Sequence, residues 1–308
     1  MILQFKSEKV SMHGLRYVLI TPARNEAKYI AKTLNAVASQ TILPEKWIIV
    51  SDNSDDDTDE IVKQFAMSHA FITLLRSEDG AARNFSAKVA AFNLALPLLE
   101  NIDYDFIGIV DADISFEPGY YENILNKFRS NPKLGVAGGI RYDYCDGSFH
   151  KVICSSNSVG GPFQLFRREC FEQVGGFAPI DLGGEDAVAE IKARMYGWQV
   201  QSFEEFIVYH HKCTGSMMGS FFQSFFKQGQ REYLIGYHPL FEIFRRILHL
   251  AEKPYVLGSL IMLLGYFRAY FSRHKPLVDQ NVIQFLKEEQ LGRLKAIFTA
   301  RRDPSFRF

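Results

Sequence analysis

Apolar and polar positions follow two alternating regimes along the first 130 residues. Residues 17–21 (YVLIT) form a short apolar, β-branched run, the mark of a buried strand. From residue 26 to 39 the apolar positions Ala27, Ile30, Ala31, Leu34 and Ala38 recur at helical spacing. Residues 47–51 predict a second strand, 70–75 a third and 106–110 a fourth. Between them, Thr58 opens a helix with Ile61, Val62 and Phe65 inward. A further helix over 85–99 carries Phe85, Val89, Phe92, Leu96 and Leu99 on one face. Pro118 starts another, striped by Tyr121, Ile124, Leu125 and Phe128. Repeated strand–helix alternation predicts an α/β fold with a doubly wound sheet, in which ligands sit beyond the carboxyl ends of the strands. The polar clusters fall at those ends: residues 22–26, 52–57 and 111–113. After residue 131 glycine pairs punctuate short segments, a helix is expected over 185–196, and a strand over 206–209 leads to His210 and His211. From about residue 220 the chain reads as helical and aromatic. The expected division is a catalytic domain over 1–235 and a helical extension over 236–308.

Composition narrows the classes. The chain has 308 residues, 47% of them hydrophobic and 23% charged, which excludes disorder and low complexity. Lys and Arg number 35 and so do Asp and Glu, so no overall charge draws the chain to nucleic acid. The balance hides an asymmetry: residues 236–308 carry 12 Lys and Arg against 6 Asp and Glu. Cys145, Cys154, Cys170 and Cys213 have no metal-ligand spacing and read as reduced thiols. The amino-terminal residues lack the pattern of a signal peptide. The most apolar run, 256–267, is too short to span a bilayer and is expected to be a buried or an interfacial helix. Together these lead to the expectation of a cytoplasmic protein, or one peripheral on the inner face of the cell membrane.

The sharpest local chemistry is Asp111-Ala112-Asp113. Two carboxylates two residues apart, just past a buried strand, can face one cavity and hold a hard divalent cation whose remaining positions a diphosphate fills. The plain alternative is a turn at a strand end, since such a triplet is common by chance. Glu185 and Asp186 open a helix, where the helix dipole favours ionised carboxylates, and Gly183-Gly184 before them lets backbone approach a substrate.

Taken in order, the segments 20–62 (with ITPARNEA and VSDNSDDDT), 87–96 (AKVAAFNLAL), 106–118 (FIGIVDADISFEP) and 183–198 (GGEDAVAEIKARMYGW) resemble the family 2 glycosyltransferases of the GT-A fold. Ser51 departs from the resemblance, standing where the family has an acid. The resemblance implies a Rossmann-like mixed sheet and an inverting transfer of a sugar from a nucleoside diphosphate to a hydroxyl, in cell-surface polysaccharide biosynthesis. It places Pro22, Ala23, Arg24, Glu26 and Asp52 around the base and ribose. Lys88 approaches the donor, Asp111, Ala112 and Asp113 face ribose and metal, and Asp186 is the general base. The metal expected is Mn2+ or Mg2+, held by Asp111, Asp113 and a histidine. Adjacent strand residues face opposite ways, so at most one of His210 and His211 can ligate, and His211 is the expected one. The acceptor implied is a glycan or polyprenyl-linked hydroxyl. The segment 228–232 faintly resembles the Q-x-x-R-W of processive members, but Glu232 stands at the Trp position.

Two other functions compete. A sugar-phosphate nucleotidylyltransferase would want a glycine-rich loop where this chain has TPARNEA, and an inactive nucleotide-sugar-binding module would have lost the carboxylate pair or the base. The basic, aromatic extension has two readings, a cap on the catalytic domain or a peripheral membrane contact through cations such as Arg245, Arg246, Arg268, Arg273 and Lys275.

Overall fold

The computed structural model describes residues 15–77, 85–152, 155–212, 221–248 and 256–300. Its first half is β1 (Tyr17–Ala23), α1 (Ile30–Ala38), β2 (Lys46–Asp52), α2 (Thr58–Ser68), β3 (Ile72–Ser77), α3 (Phe85–Ala95) and β4 (Phe106–Ile109). β5 (Ile114–Phe116), α4 (Tyr120–Ser130), β6 (Leu134–Cys145), β7 (Ser148–Lys151), β8 (Leu165–Arg167), α5 (Arg168–Val174), α6 (Glu185–Met195) and β9 (Gln199–His210) follow. The chain continues with α7 (Phe221–Ile235), α8 (Pro239–Leu248), α9 (Val256–Phe271) and α10 (Gln280–Ala300).

One sheet runs in the order β3-β2-β1-β4-β8-β6-β9-β5, with β7 on β6. The first four strands are parallel, as the alternation predicts; β8 runs antiparallel to β4 and β6, which makes the sheet mixed. Trp47, Tyr17, Phe92 and Phe106 are among the largest side chains fully buried against it. The apolar runs of β1, β2 and β4 reflect burial on both faces. The buried side of α3 consists of Phe92 with Ala87, Val89, Ala91 and Ala95, smaller residues that bring the helix close to the sheet; the side chain of Phe85 lies outside the described residues.

Where β1 meets β4 the register ends at Ile20 and Ile109, while β1 continues beside β2 through Pro22 and Ala23. Proline fits there because β4 no longer needs a donor from that edge. The two strands part beyond that point and open a cleft.

The carboxy-terminal helices form a second layer. α7 and α9 touch backbone to backbone: a Cβ added at Gly265 would lie 2.0 Å from the Phe226 carbonyl oxygen, and one at Gly229 1.9 Å from that of Met262. Ile180, Val188, Ile191, Ile235, Val282 and Leu286 form a small core that joins α6 to α7 and α10. Arg194 Nε on α6 adds an ion pair with Glu289 Oε1 at 2.8 Å. One cysteine expectation is corrected: Cys145 is disulfide-bonded. Cys170 is free and buried, and Cys154 and Cys213 lie outside the described residues.

Candidate active site

Two loops that follow parallel strands are stitched together. After β1, Asn25 takes a positive φ of 56°, and after β2, Asn53 takes 50°, a conformation asparagine tolerates better than most residues. The Asn25 N–H donates to Ser54 Oγ (3.2 Å), the Asp55 N–H to Asn25 Oδ1 (2.9 Å) and the Glu26 N–H to Thr58 Oγ1 (2.8 Å). The polar character of residues 52–58 is thus partly structural. Asp52 ends β2 with Arg24 NH1 3.4 Å from its Oδ2.

The carboxylate pair is held from three sides. The Asp111 N–H donates to the Pro162 carbonyl (2.9 Å), the Val110 N–H to that of Ile20 (3.0 Å) and the His211 N–H to that of Asp113 (2.8 Å). Pro22, Ala23, Arg24, Glu26, Asp52, Lys88, Asp111, Ala112 and Asp113 all line one cavity of about 140 Å³, together with Ala87 and Ala91. All nine residues expected on the donor side therefore come together.

Lysines bridge the carboxylates. Lys88 on α3 places Nζ 2.7 Å from Asp111 Oδ1. Although burial alone would lower its pKa, Asp111, Glu185 and Asp186 outweigh that and raise it. Lys88 is thus the electrostatic link between the carboxylate pair and the start of α6. Lys212, just past β9, pairs with Glu26 and lies 3.3 Å from Asp113 Oδ2. Asp113 is held low, at about 2: burial would raise it, but His210 and Lys212 prevail.

The two histidines separate as strand alternation requires. His210 stands beside Asp143 in the β6–β9 register. Its Nδ1 is 3.0 Å from Asp143 Oδ1, and its Nε2 is 3.4 Å from the buried Asp113 Oδ1. Burial opposes charge on this ring, yet the two carboxylates raise it to about 9. His211 faces elsewhere, with Nε2 2.9 Å from Ser115 Oγ and Nδ1 3.4 Å from Lys32 Nζ. Burial and then Lys32 depress it to about 4. The structure therefore brings His210, and not His211, to the carboxylate pair.

Asp186 lies in the first turn of α6 with Oδ1 accepting from the Ala187 N–H at 2.8 Å. Gly161 packs on its other oxygen so closely that an added Cβ would sit 2.3 Å from Oδ2. Its neighbour Glu185 is pushed up to about 7 by burial and by the Asp186 charge. Glu190, one turn on, accepts from the Val159 N–H (2.6 Å), Ser158 Oγ (2.8 Å) and Gln164 Nε2 (2.8 Å). It anchors to α6 the loop that supplies both Gly161 and the Pro162 carbonyl. Sequence reasoning missed Lys212, Asp143 and Glu190. The first adjoins the paired histidines, which was a usable signal; the others gain their positions only through the fold.

The donor types present suit a hard divalent cation. Asp111, Asp113 and Glu26 supply hard oxygens, and a histidine whose far nitrogen rests on a carboxylate is the usual second-sphere arrangement. Among the described residues no three His, Cys, Asp or Glu side chains converge as a complete metal cluster.

A model of "Glycosyl transferase family 2" matches residues 18–172. Poly-beta-1,6-N-acetyl-D-glucosamine synthase of Staphylococcus epidermidis is 23% identical over 220 residues, which cover 65% of this chain and 50% of that protein. This chain thus spans about half the length of the curated relative. Among solved structures, the mannosyltransferase PcManGT from Pyrobaculum calidifontis, in complex with GDP-Man and Mn2+, has a TM-score of 0.56 at 18% identity, covering 94% of this chain and 83% of its own. S. aureus TarS (residues 1–349) in complex with UDP-GlcNAc has a TM-score of 0.52 at 15% identity, covering 94% and 87%. These likenesses establish the GT-A fold.

Proposed function

The chain belongs to glycosyl transferase family 2, and from that premise we propose that it moves a sugar, with inversion, from a nucleoside diphosphate to a hydroxyl of a glycan or polyprenyl-linked acceptor. The observation that carries this reading is the gathering of Arg24, Asp52, Lys88, Asp111 and Asp113 around one cavity, with Lys88 Nζ 2.7 Å from Asp111 Oδ1. The relatives' names make cell-surface polysaccharide assembly the setting to test, with UDP-GlcNAc and GDP-mannose as first donors.

On this reading Asp52 and Arg24 face the nucleoside, and Lys88 turns its charge toward the diphosphate. Asp113 and His210, with Asp111 beside them, hold Mn2+ or Mg2+; His211 is not proposed as a ligand, because its ring engages Ser115 and Lys32. When bound, the metal neutralises diphosphate charge in a cleft already crowded with carboxylates. Asp186 takes the acceptor proton. Gly161 leaves the space its carboxylate needs, and Glu190 is a positioning residue that fixes the loop beneath it.

The test is calorimetry and turnover with the two donors, in Mn2+ and in chelator. Asp186→Asn keeps the size of the side chain and removes the base, so turnover should fall by roughly 10²–10⁴-fold with donor affinity little changed. The product anomer, read by NMR, should be inverted. Near-normal turnover of the variant or a retained anomer would remove Asp186 from its role, and failure to bind any nucleotide sugar would remove the reading itself.

A further inference from the structure

α8 is amphipathic the wrong way round. Leu240, Ile243, Phe244, Ile247 and Leu248 share one face at helical spacing. Yet the residues buried on this helix are Glu242 and Arg246. Glu242, with no exposure at all, pairs with Arg246 Nε (2.8 Å) and Arg245 NH2 (2.9 Å), and both arginines pair with Glu232 of α7. Arg246 NH1 also reaches Met262 Sδ on α9 at 2.8 Å. The charged side of α8 is thus its inward side, and Leu240, Ile247 and Leu248 are more than half exposed.

α9 continues the pattern. It buries Gly258, Ile261, Met262, Gly265, Tyr266 and Ala269, and turns Val256, Leu260, Leu264 and Phe271 to solvent along one stripe, Phe271 at 76% exposure. A solvent-facing helix is ordinarily polar there, and a contiguous apolar surface of this kind marks an interaction site. Its charge identifies the partner. From residue 239 to 278 the only acid among the described residues is the wholly buried Glu242, whereas Arg268, Arg273 and Lys275 are exposed. Two copies joined symmetrically through this face would bring like charges together. No helix among the described residues is long and apolar enough to cross a membrane.

We propose that the outward face of α8 and α9 docks on an anionic lipid bilayer, lying in its interface with the aliphatic side chains inserted and the cations against phosphates. This goes beyond the transfer reading and does not rest on it, though such a seat suits a polyprenyl-linked acceptor.

Flotation of the full chain with vesicles of phosphatidylglycerol and phosphatidylcholine tests it, against phosphatidylcholine alone and at low and high salt. Binding should require the anionic lipid and weaken with salt. Ile247→Glu and Leu264→Glu should each weaken it by roughly ten-fold or more, and Arg273→Glu with Lys275→Glu should reduce it at low salt. All four positions are exposed, so thermal melts of the variants should match that of the parent. An intact protein that ignores anionic vesicles at low salt would overturn the proposal. So would variants that bind like the parent, or a dimer in solution that Ile247→Glu dissociates. Vesicle binding needs no donor, so its failure would leave the transfer reading intact, and the reverse also holds.

Discussion

Glu185 and Asp186 are adjacent carboxylates in one helical turn, and their surroundings divide their roles. Asp186 is partly exposed and lies against Gly161; Glu185 is buried and pushed up to about 7. The second fact carries a stability prediction. In the unfolded chain Glu185 ionises near the ordinary 4.5, and in the folded chain near 7. Between those values the folded state holds more protons, so its stability falls as pH rises through that window and levels off above it. Urea melts at pH 4.5, 6 and 7.5 should show a loss on the order of 1–3 kcal/mol that Glu185→Gln removes; an identical slope in the variant would place the titration elsewhere. The cavity-lining residues other than Lys88 were legible from sequence because they sit within a few positions of strand ends. The histidine was not. Alternation gives opposite faces to His210 and His211, but which face meets Asp113 depends on β9 lying between β6 and β5.

Among the elements, strands buried on both faces announce themselves and half-polar ones do not. β1, β2 and β4 were readable as apolar runs, whereas β9 extends back to Gln199, far beyond the expected 206–209. Its polar residues and the register shift opposite Gly138 and Ile140 break the period that would have revealed it. α8 shows the converse: its stripe was plain, but the stripe faces out because Glu232 offers its arginines a buried partner. The contact between α7 and α9 depends on two glycines whose value no periodicity shows. Gly265→Ala should drive the helices apart, costing about 1–3 kcal/mol and lowering the melting temperature by several degrees. Gly292→Ala on α10 meets nothing within 4 Å, and should hold or raise stability through its better helix propensity. Equal melting temperatures for the two variants would contradict the close packing.

For the whole molecule, ligand linkage gives a test independent of catalysis. A donor at a hundred times its dissociation constant stabilises the folded state by about 2.7 kcal/mol. That is a rise of roughly 4 °C in melting temperature for a chain of this size. If Asp113 and His210 hold a metal as proposed, chelator should abolish most of the rise; a full rise in chelator would show that Lys88 and Lys212 suffice for the diphosphate. The nine cavity-lining residues expected from sequence, Pro22 to Asp113, all lie inside the family-matched segment, while Asp186, His210 and Lys212 lie outside it. Several contacts span the divide: Lys88 reaching toward the start of α6, the strand pairs β4–β8 and β5–β9, His210 against Asp113, and Lys212 against Glu26. Recombination between relatives must therefore preserve these contacts together. On the proposed reading, a chimera that takes its amino-terminal half from one parent and everything from β6 onward from another should exchange donor preference separately from acceptor preference. It stays whole only if both parents agree on the lysine of α3 and on the acids that greet it.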